Sequence, residues 1–150
     1  MTGNKSLNIT LFAPTYGALT AQSSHTLTLA EPLPLVASLD VDHNGRYEAL
    51  TDGLLIMRYL ASATSSSALT QSALGVLPKR ALPADIVLYL DAIKTQLDVD
   101  GDGQTNAASD GVLLLRYLSG MRGNALTAGL SGLGSRSVQQ IEAAIAALMP

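Results

Sequence analysis

The chain lacks cysteine and tryptophan, has a single phenylalanine, and carries charge on only 14% of its residues, against about a quarter in ordinary folded domains. Without cysteine there is no disulfide framework, no thiolate zinc site and no cysteine nucleophile. Positive charge is scarce as well: nine Lys and Arg stand against twelve Asp and Glu, and the nine are scattered. A phosphate-binding face is therefore not expected, and nucleic acid is set aside as a partner. No apolar run approaches the roughly 18 residues that span a bilayer. The opening Met-Thr-Gly-Asn-Lys-Ser has no apolar core of a secretion signal. If the parent protein is exported, this chain is expected to be a fragment of it.

What is present is an ordinary apolar share, 47% over 150 residues. That argues against global disorder and for one compact domain, or a small domain with an appendage.

The scarce acids are not scattered. Eight of the twelve fall in two thirteen-residue windows: Asp40, Asp42, Glu48 and Asp52, then Asp98, Asp100, Asp102 and Asp110. Crowded carboxylates at alternate positions repel one another unless a cation neutralises them. The windows read Asp40-Val-Asp42-His-Asn44-Gly45-Arg46 and Asp98-Val-Asp100-Gly-Asp102-Gly103-Gln104. Both fit D-x-[DN]-x-[DN]-G, the front half of an EF-hand calcium loop. Oxygens at positions one, three and five can converge on one ion as the chain curls, the glycine at six permits the turn, and residue seven offers its backbone carbonyl, here Arg46 and Gln104. Calcium suits such a set because it accepts six to eight oxygens with loose geometry. Glu48 and Asn106, farther along each loop, complete the candidate ligands.

The back of each loop is different. A twelve-residue loop would end in a bidentate Glu, but the twelfth positions hold Thr51 and Ser109, with Asp52 and Asp110 one later. Either the loop carries one extra residue and the aspartates still reach the ion, or Thr51 and Ser109 cap the exiting helix and the aspartates serve its positive end.

A repeat organises the rest. Leu39-Asp-Val-Asp pairs with Leu97-Asp-Val-Asp, Thr51-Asp-Gly-Leu-Leu-Ile-Met-Arg-Tyr-Leu60 with Ser109-Asp-Gly-Val-Leu-Leu-Leu-Arg-Tyr-Leu118, and Ala68-Leu-Thr70 with Ala125-Leu-Thr127. Residues 39–96 and 97–150 thus read as two copies of loop, exiting helix, short helix and closing helix. Helical spacing is seen at Leu50, Leu54, Met57 and Leu60, at Ile86, Leu90, Ile93 and Leu97, and at Val138, Ile141, Ile145 and Leu148. Ser137 with Gln140 is a capping-box signature, Pro83 suits the first turn of a helix over 84–96, and Gly75 and Gly134 are expected as helix stops. The first unit has no evident entering helix, because Pro32 and Pro34 precede it. Residues 1–38 read as an extended or β-hairpin segment, from Leu7–Phe12 and His25–Leu29 about a turn at 15–17, or as a linker.

Two such loops, each followed by an apolar helix ending in Arg-Tyr-Leu, resemble dockerin-type and other bacterial extracellular EF-hand repeats. The resemblance covers about residues 39–60 and 97–118, with Asp40, Asp42, Asn44 and Asp98, Asp100, Asp102 in ligand positions. It implies a mostly α fold of two tandem EF-hand-like repeats that order on binding two calcium ions. It also implies an extracellular or cell-surface setting and a cohesin-like protein partner. The chain departs from that pattern in its 58-residue loop spacing and in the recognition positions, which hold Ala49-Leu50 and Ala107-Ala108. Of the basic pair on the helix only Arg58 and Arg116 remain.

The other polar residues have plain readings. Arg58 and Arg116 steady helix C-termini or cover apolar surface, with a partner contact as the alternative. Tyr59 and Tyr117 belong to the core or its edge. His25 and His43 have no third partner for zinc or acid–base work. Ser62–Ser67 is a flexible connection, and Asp91 and Glu142 are solvated helix carboxylates. No catalytic constellation stands out, so the chain is expected to be a non-catalytic calcium-stabilised module. The alternative is a dockerin-like module binding a cohesin-like partner, or neighbouring domains of its own chain, through apolar surface near Leu54, Met57 and Arg58 and near Val112, Leu115 and Arg116.

Overall fold

The computed structural model describes residues 7–8, 26–27, 35–63 and 67–150. The chain divides into two units, Met1–Leu35 and Val36–Pro150. In the first, β1 (Leu7–Asn8) pairs antiparallel with β2 (Thr26–Leu27), Leu7 opposite Leu27 and Asn8 opposite Thr26. The remainder of the two expected strands, the turn at 15–17, His25, Pro32 and Pro34 lie outside the described residues, as do positions 64–66 of the serine-rich connection.

The second unit is mostly helical: α1 (Leu54–Leu60), α2 (Ser67–Thr70), α3 (Pro83–Ile93), α4 (Val112–Leu118), α5 (Asn124–Thr127) and α6 (Val138–Ala146). Pro83 occupies the first turn of α3, where its missing amide has no partner to lose. Ser137 and Gln140 form the full capping box of α6. The helix expected over 84–96 tightens to a 3₁₀ turn at Lys94–Leu97 as it enters the second loop.

One apolar core joins the helices. Ile86, Leu90, Ile93 and Leu97 are buried along α3 and its 3₁₀ turn, and Ile141, Ile145 and Leu148 along α6. The stripe expected on the first exiting helix is rotated. Leu50 is 79% exposed, and the residues that face the core are Leu55, Ile56 and Tyr59, matched by Leu113 and Leu114 in α4. Leu54 and Leu60 are half-buried against that core, as are Tyr117 and Leu118. The apolar surface expected around Leu54, Met57, Val112 and Leu115 is therefore half-buried within the unit.

The reason for the rotation is an extra residue in the turn before each exiting helix. Ala49–Gly53 and Ala107–Gly111 are π-helical. Gly53 N–H donates to the Glu48 carbonyl at 3.2 Å and Gly111 N–H to the Asn106 carbonyl at 3.0 Å, each a five-residue step. A π turn holds one residue more than an α turn and advances the side chains that follow by that residue.

Among the described residues no helix leads into the first loop by chain connection, and α6 ends beside it. Leu39 N–H donates to the Leu148 carbonyl at 2.8 Å, and the Tyr47 hydroxyl donates to the Pro150 carbonyl at 2.8 Å. Thr105, at the matching place in the second loop, donates to the Lys94 carbonyl at 3.0 Å. Thus α6 adjoins the first loop much as α3 adjoins the second.

Candidate metal centres

Each loop curls around its own carboxylates. Asp40 accepts from the amides of Asn44 and Gly45 at 2.9 and 2.8 Å, and Asp98 from Gly101 and Gly103 at 2.7 and 3.0 Å. Asp42 accepts from the Asn44 amide at 3.2 Å, and Asp100 from that of Asp102 at 3.0 Å. Asn44 and Asp102 in turn accept from Arg46 and Gln104 at 2.8 and 2.7 Å. Successive side chains thus hold successive amides, and the chain bends round the oxygens. The bend passes through Gly45 at φ +86° and Gly103 at φ +85°, a left-handed conformation that side chains with a Cβ resist. His43 shares that region at φ 58°, in the place taken by Gly101 in the second loop.

Asp52 and Asp110 close the loops. Asp52 Oδ1 accepts from the Val41 amide at 2.7 Å and its Oδ2 from the Glu48 amide at 2.9 Å. Asp110 repeats this with Val99 at 2.8 Å and Asn106 at 3.0 Å. The Thr51 and Ser109 hydroxyls donate to these carboxylates at 3.3 and 3.2 Å, and the cap positions fall instead at Glu48 and Asn106. It is Asn106 that caps its turn, accepting from the Ser109 amide at 2.9 Å. The first loop has no such side-chain cap at Glu48, which instead lies 3.9 Å from the Arg46 guanidinium.

Two acidic triads result. Oxygens of Asp40, Asp42 and Asp52 lie within 4.8 Å of one another, and so do those of Asp98, Asp100 and Asp102. Either triad could hold a metal ion, and the donors are all oxygen, as hard cations prefer. Asp42, Asp52, Asp100 and Asp110 are fully buried. Burial pushes the Asp52 carboxyl up to about 6, with the Asp42 charge adding to it, against the lowering effect of the Glu48, Val41 and Asp42 amides. Burial raises Asp110 in the same way. The fit to a cation is sharpest at Asp100, whose Oδ2 is buried without any hydrogen-bond partner. Buried carboxylate oxygens are rarely left so.

Several residues that steady the loops carry no motif. Gly75 N–H donates to Asp42 Oδ2 at 2.6 Å, and the Arg80 amide to the Asp42 carbonyl at 2.9 Å. The Arg80 guanidinium donates to the Val41 carbonyl and stacks on Tyr89 at 3.7 Å. In the second half Arg136 donates to the Asp98 carbonyl at 2.7 Å. A Cβ at Gly134 would strike the backbone of Asp100, Gly101 and Asp102. Gly75 and Gly134 are therefore loop-side packing positions and not helix stops.

Arg58 and Arg116 have internal work. Arg58 donates to the carbonyls of Leu69 and Gln71 at 3.0 and 2.6 Å, at the end of α2. Arg116 does the same for Leu126 and Ala128, both at 2.9 Å, at the end of α5. Nor are the two helix carboxylates merely solvated: Asp91 accepts from the Tyr59 hydroxyl, and Glu142 from the Gly123 amide at 2.6 Å. No family model, curated protein or solved structure matches the chain. No helix among the described residues is long and apolar enough to cross a membrane.

Proposed function

We propose that residues 39–150 are a calcium-binding, non-catalytic module of a secreted or cell-surface protein, built on two EF-hand-like loop–helix repeats. The observation that carries this reading is the buried, unpartnered Asp100 Oδ2 within an all-oxygen triad. Calcium is the cation favoured, because carboxylate and carbonyl donors on a curled loop match its tolerance for many oxygens, whereas magnesium demands near-octahedral order and keeps its waters. Asp40, Asp42, Asn44 and Asp52 would hold one ion and Asp98, Asp100 and Asp102 the other, with the Arg46 and Gln104 carbonyls available to each. The ion's role is to supply folding free energy. At about 100 times the dissociation constant one site adds about 2.7 kcal/mol. Extracellular modules of this kind work at roughly 0.1–1 mM calcium, which fits an exported setting.

The test is calorimetric titration of the metal-free chain with calcium chloride, paired with thermal melts in calcium and in EDTA. The reading expects close to two ions per chain and a large drop in melting temperature on chelation. Absence of binding heat together with an unchanged melt would end it.

A second reading, docking of a cohesin-like partner, draws on one observation: Leu50, in a recognition position of the resembling family, is 79% exposed. Against it, Arg58 and Arg116 are engaged within the chain. Capture of a defined cohesin by the wild-type chain, lost on Leu50→Asp, would favour it.

A further inference from the structure

We infer that the two loops are unequal calcium sites, and that the loop over 98–110 fills first, at a calcium concentration at least about tenfold below that of the loop over 40–52. The inference rests on the calcium reading above and adds an order of filling to it.

The difference lies in the third-position carboxylates. Asp42 and Asp100 are both fully buried, yet only one is satisfied. Asp42 Oδ2 accepts from the Gly75 amide at 2.6 Å and, more weakly, from the Asn44 side-chain amide at 3.5 Å. A cation arriving at the first loop must share or displace those donors. Asp100 Oδ2 has none. Folding has taken that carboxylate oxygen out of bulk solvent with no protein donor set against it, which an ion would correct. A buried unsatisfied polar group is worth a factor of ten or more in an equilibrium constant.

The fifth positions point the same way. Asp102 brings a third front-half carboxylate to the second loop, where Asn44 brings a neutral amide to the first. Calcium affinity in such loops rises with ligand charge. Asp52 brings the first set to three carboxylates as well, but both its oxygens already accept from backbone amides, whereas Asp102 accepts from one. Glu48 restores one acid to the first loop, but its carboxylate is 40% exposed and lies 3.9 Å from the Arg46 guanidinium. Its charge is therefore partly answered before any ion arrives. The second loop has the neutral Gln104 in place of Arg46.

The glycine amides report each loop separately, since Gly45 donates to Asp40 and Gly103 to Asp98. The full chain, labelled with ¹⁵N and stripped of metal, is titrated with calcium chloride while the two amide resonances are followed. Gly103 is expected to complete its change at least about tenfold lower in calcium than Gly45. If Gly45 leads, or the two move together, the inference falls and the calcium reading stands. If neither moves and calorimetry gives no heat, both fall. Calorimetry on Asp100→Asn and Asp42→Asn adds an independent measure. The first substitution should abolish or weaken by at least about tenfold the tighter event, and the second should spare it. The reverse assignment overturns the inference, and should Asp100→Asn not fold, the wild-type resonances decide alone.

Discussion

Gly53 in one half of the helical unit faces Leu115 in the other, and Gly111 faces Met57, so one contact is made twice with the halves exchanged. A Cβ at position 53 would lie 2.9 Å from Leu115 Cδ1, and one at 111 would lie 2.6 Å from Met57 Sδ. Each glycine sits in the π turn that closes a loop and touches the helix leaving the other loop. The two candidate centres are therefore mechanically joined through α1 and α4.

This geometry separates tolerable glycine substitutions from costly ones. At Gly111 an added methyl meets the free end of a methionine, which can swing aside, and alanine is the better helix former. At Gly134 the methyl meets backbone of the second loop, which cannot. Gly134→Ala should destabilise the calcium-loaded protein by about 2–3 kcal/mol and Gly111→Ala by less than about 1 kcal/mol. Urea denaturation in excess calcium measures both, and equal losses would contradict the packing described.

Acid should stabilise the metal-free form and weaken the extra stability that calcium adds. The Asp52 carboxyl is raised to about 6 from 3.8, so the folded chain holds that proton more tightly than the unfolded chain. Its contribution is full below the unfolded value and is lost as pH rises through about 6. In EDTA the melting temperature should therefore rise on acidification from about pH 7.5 to about pH 5. In millimolar calcium the proton competes with the ion, and the gap between calcium and EDTA melts should narrow over the same interval. A gap that widens toward acid would oppose the placement of Asp52 among the ligands.

Arg116 bridges two carbonyls at the end of α5 with one guanidinium nitrogen. Lysine keeps the charge but holds it as a compact, mobile point on a flexible stem. Arg116→Lys should lower stability by about 1–2 kcal/mol, with Arg58→Lys similar. Hydrogen exchange at the Leu126 and Leu69 amides should accelerate in the respective variants. Unchanged exchange would mean that the short helices are held by packing alone.

The capping box of α6 offers a smaller, local test. Ser137→Ala removes the acceptor for the Gln140 amide and should cost about 1 kcal/mol. Because Ser137 follows Arg136, which holds the Asp98 carbonyl, the same variant should also weaken calcium binding in the second loop more than in the first, read as a shift of the Gly103 amide titration larger than that of Gly45.

Much of this was legible in the sequence, for physical reasons. The loops announce themselves because carboxylates at alternate positions have few other uses, and α3 and α6 because their apolar spacing is clean. The face of α1 was misread since Leu50, Leu54, Met57 and Leu60 fit an uninterrupted α period, whereas the extra residue is stored as a π turn between the loop and Leu54. Periodicity carries no mark of such a turn. The roles of Gly75, Gly134, Arg80 and Arg136 were hidden by register: Gly75 and Gly134 are 59 apart and Arg80 and Arg136 are 56 apart, while the loops are 58 apart. The orphaned Asp100 oxygen is a property of three-dimensional neighbours, and its counterpart Asp42 has the same residue type and the same spacing.

The Leu39–Leu148 hydrogen bond brings residue 148 beside residue 39. A short linker between Pro150 and Ser38 would make the helical unit a closed ring, which could then be reopened at the exposed turn over 119–123 without severing a loop or a long helix. In such a circular permutant α6 would precede the first loop by covalent connection, so both loops would be helix–loop–helix along the chain.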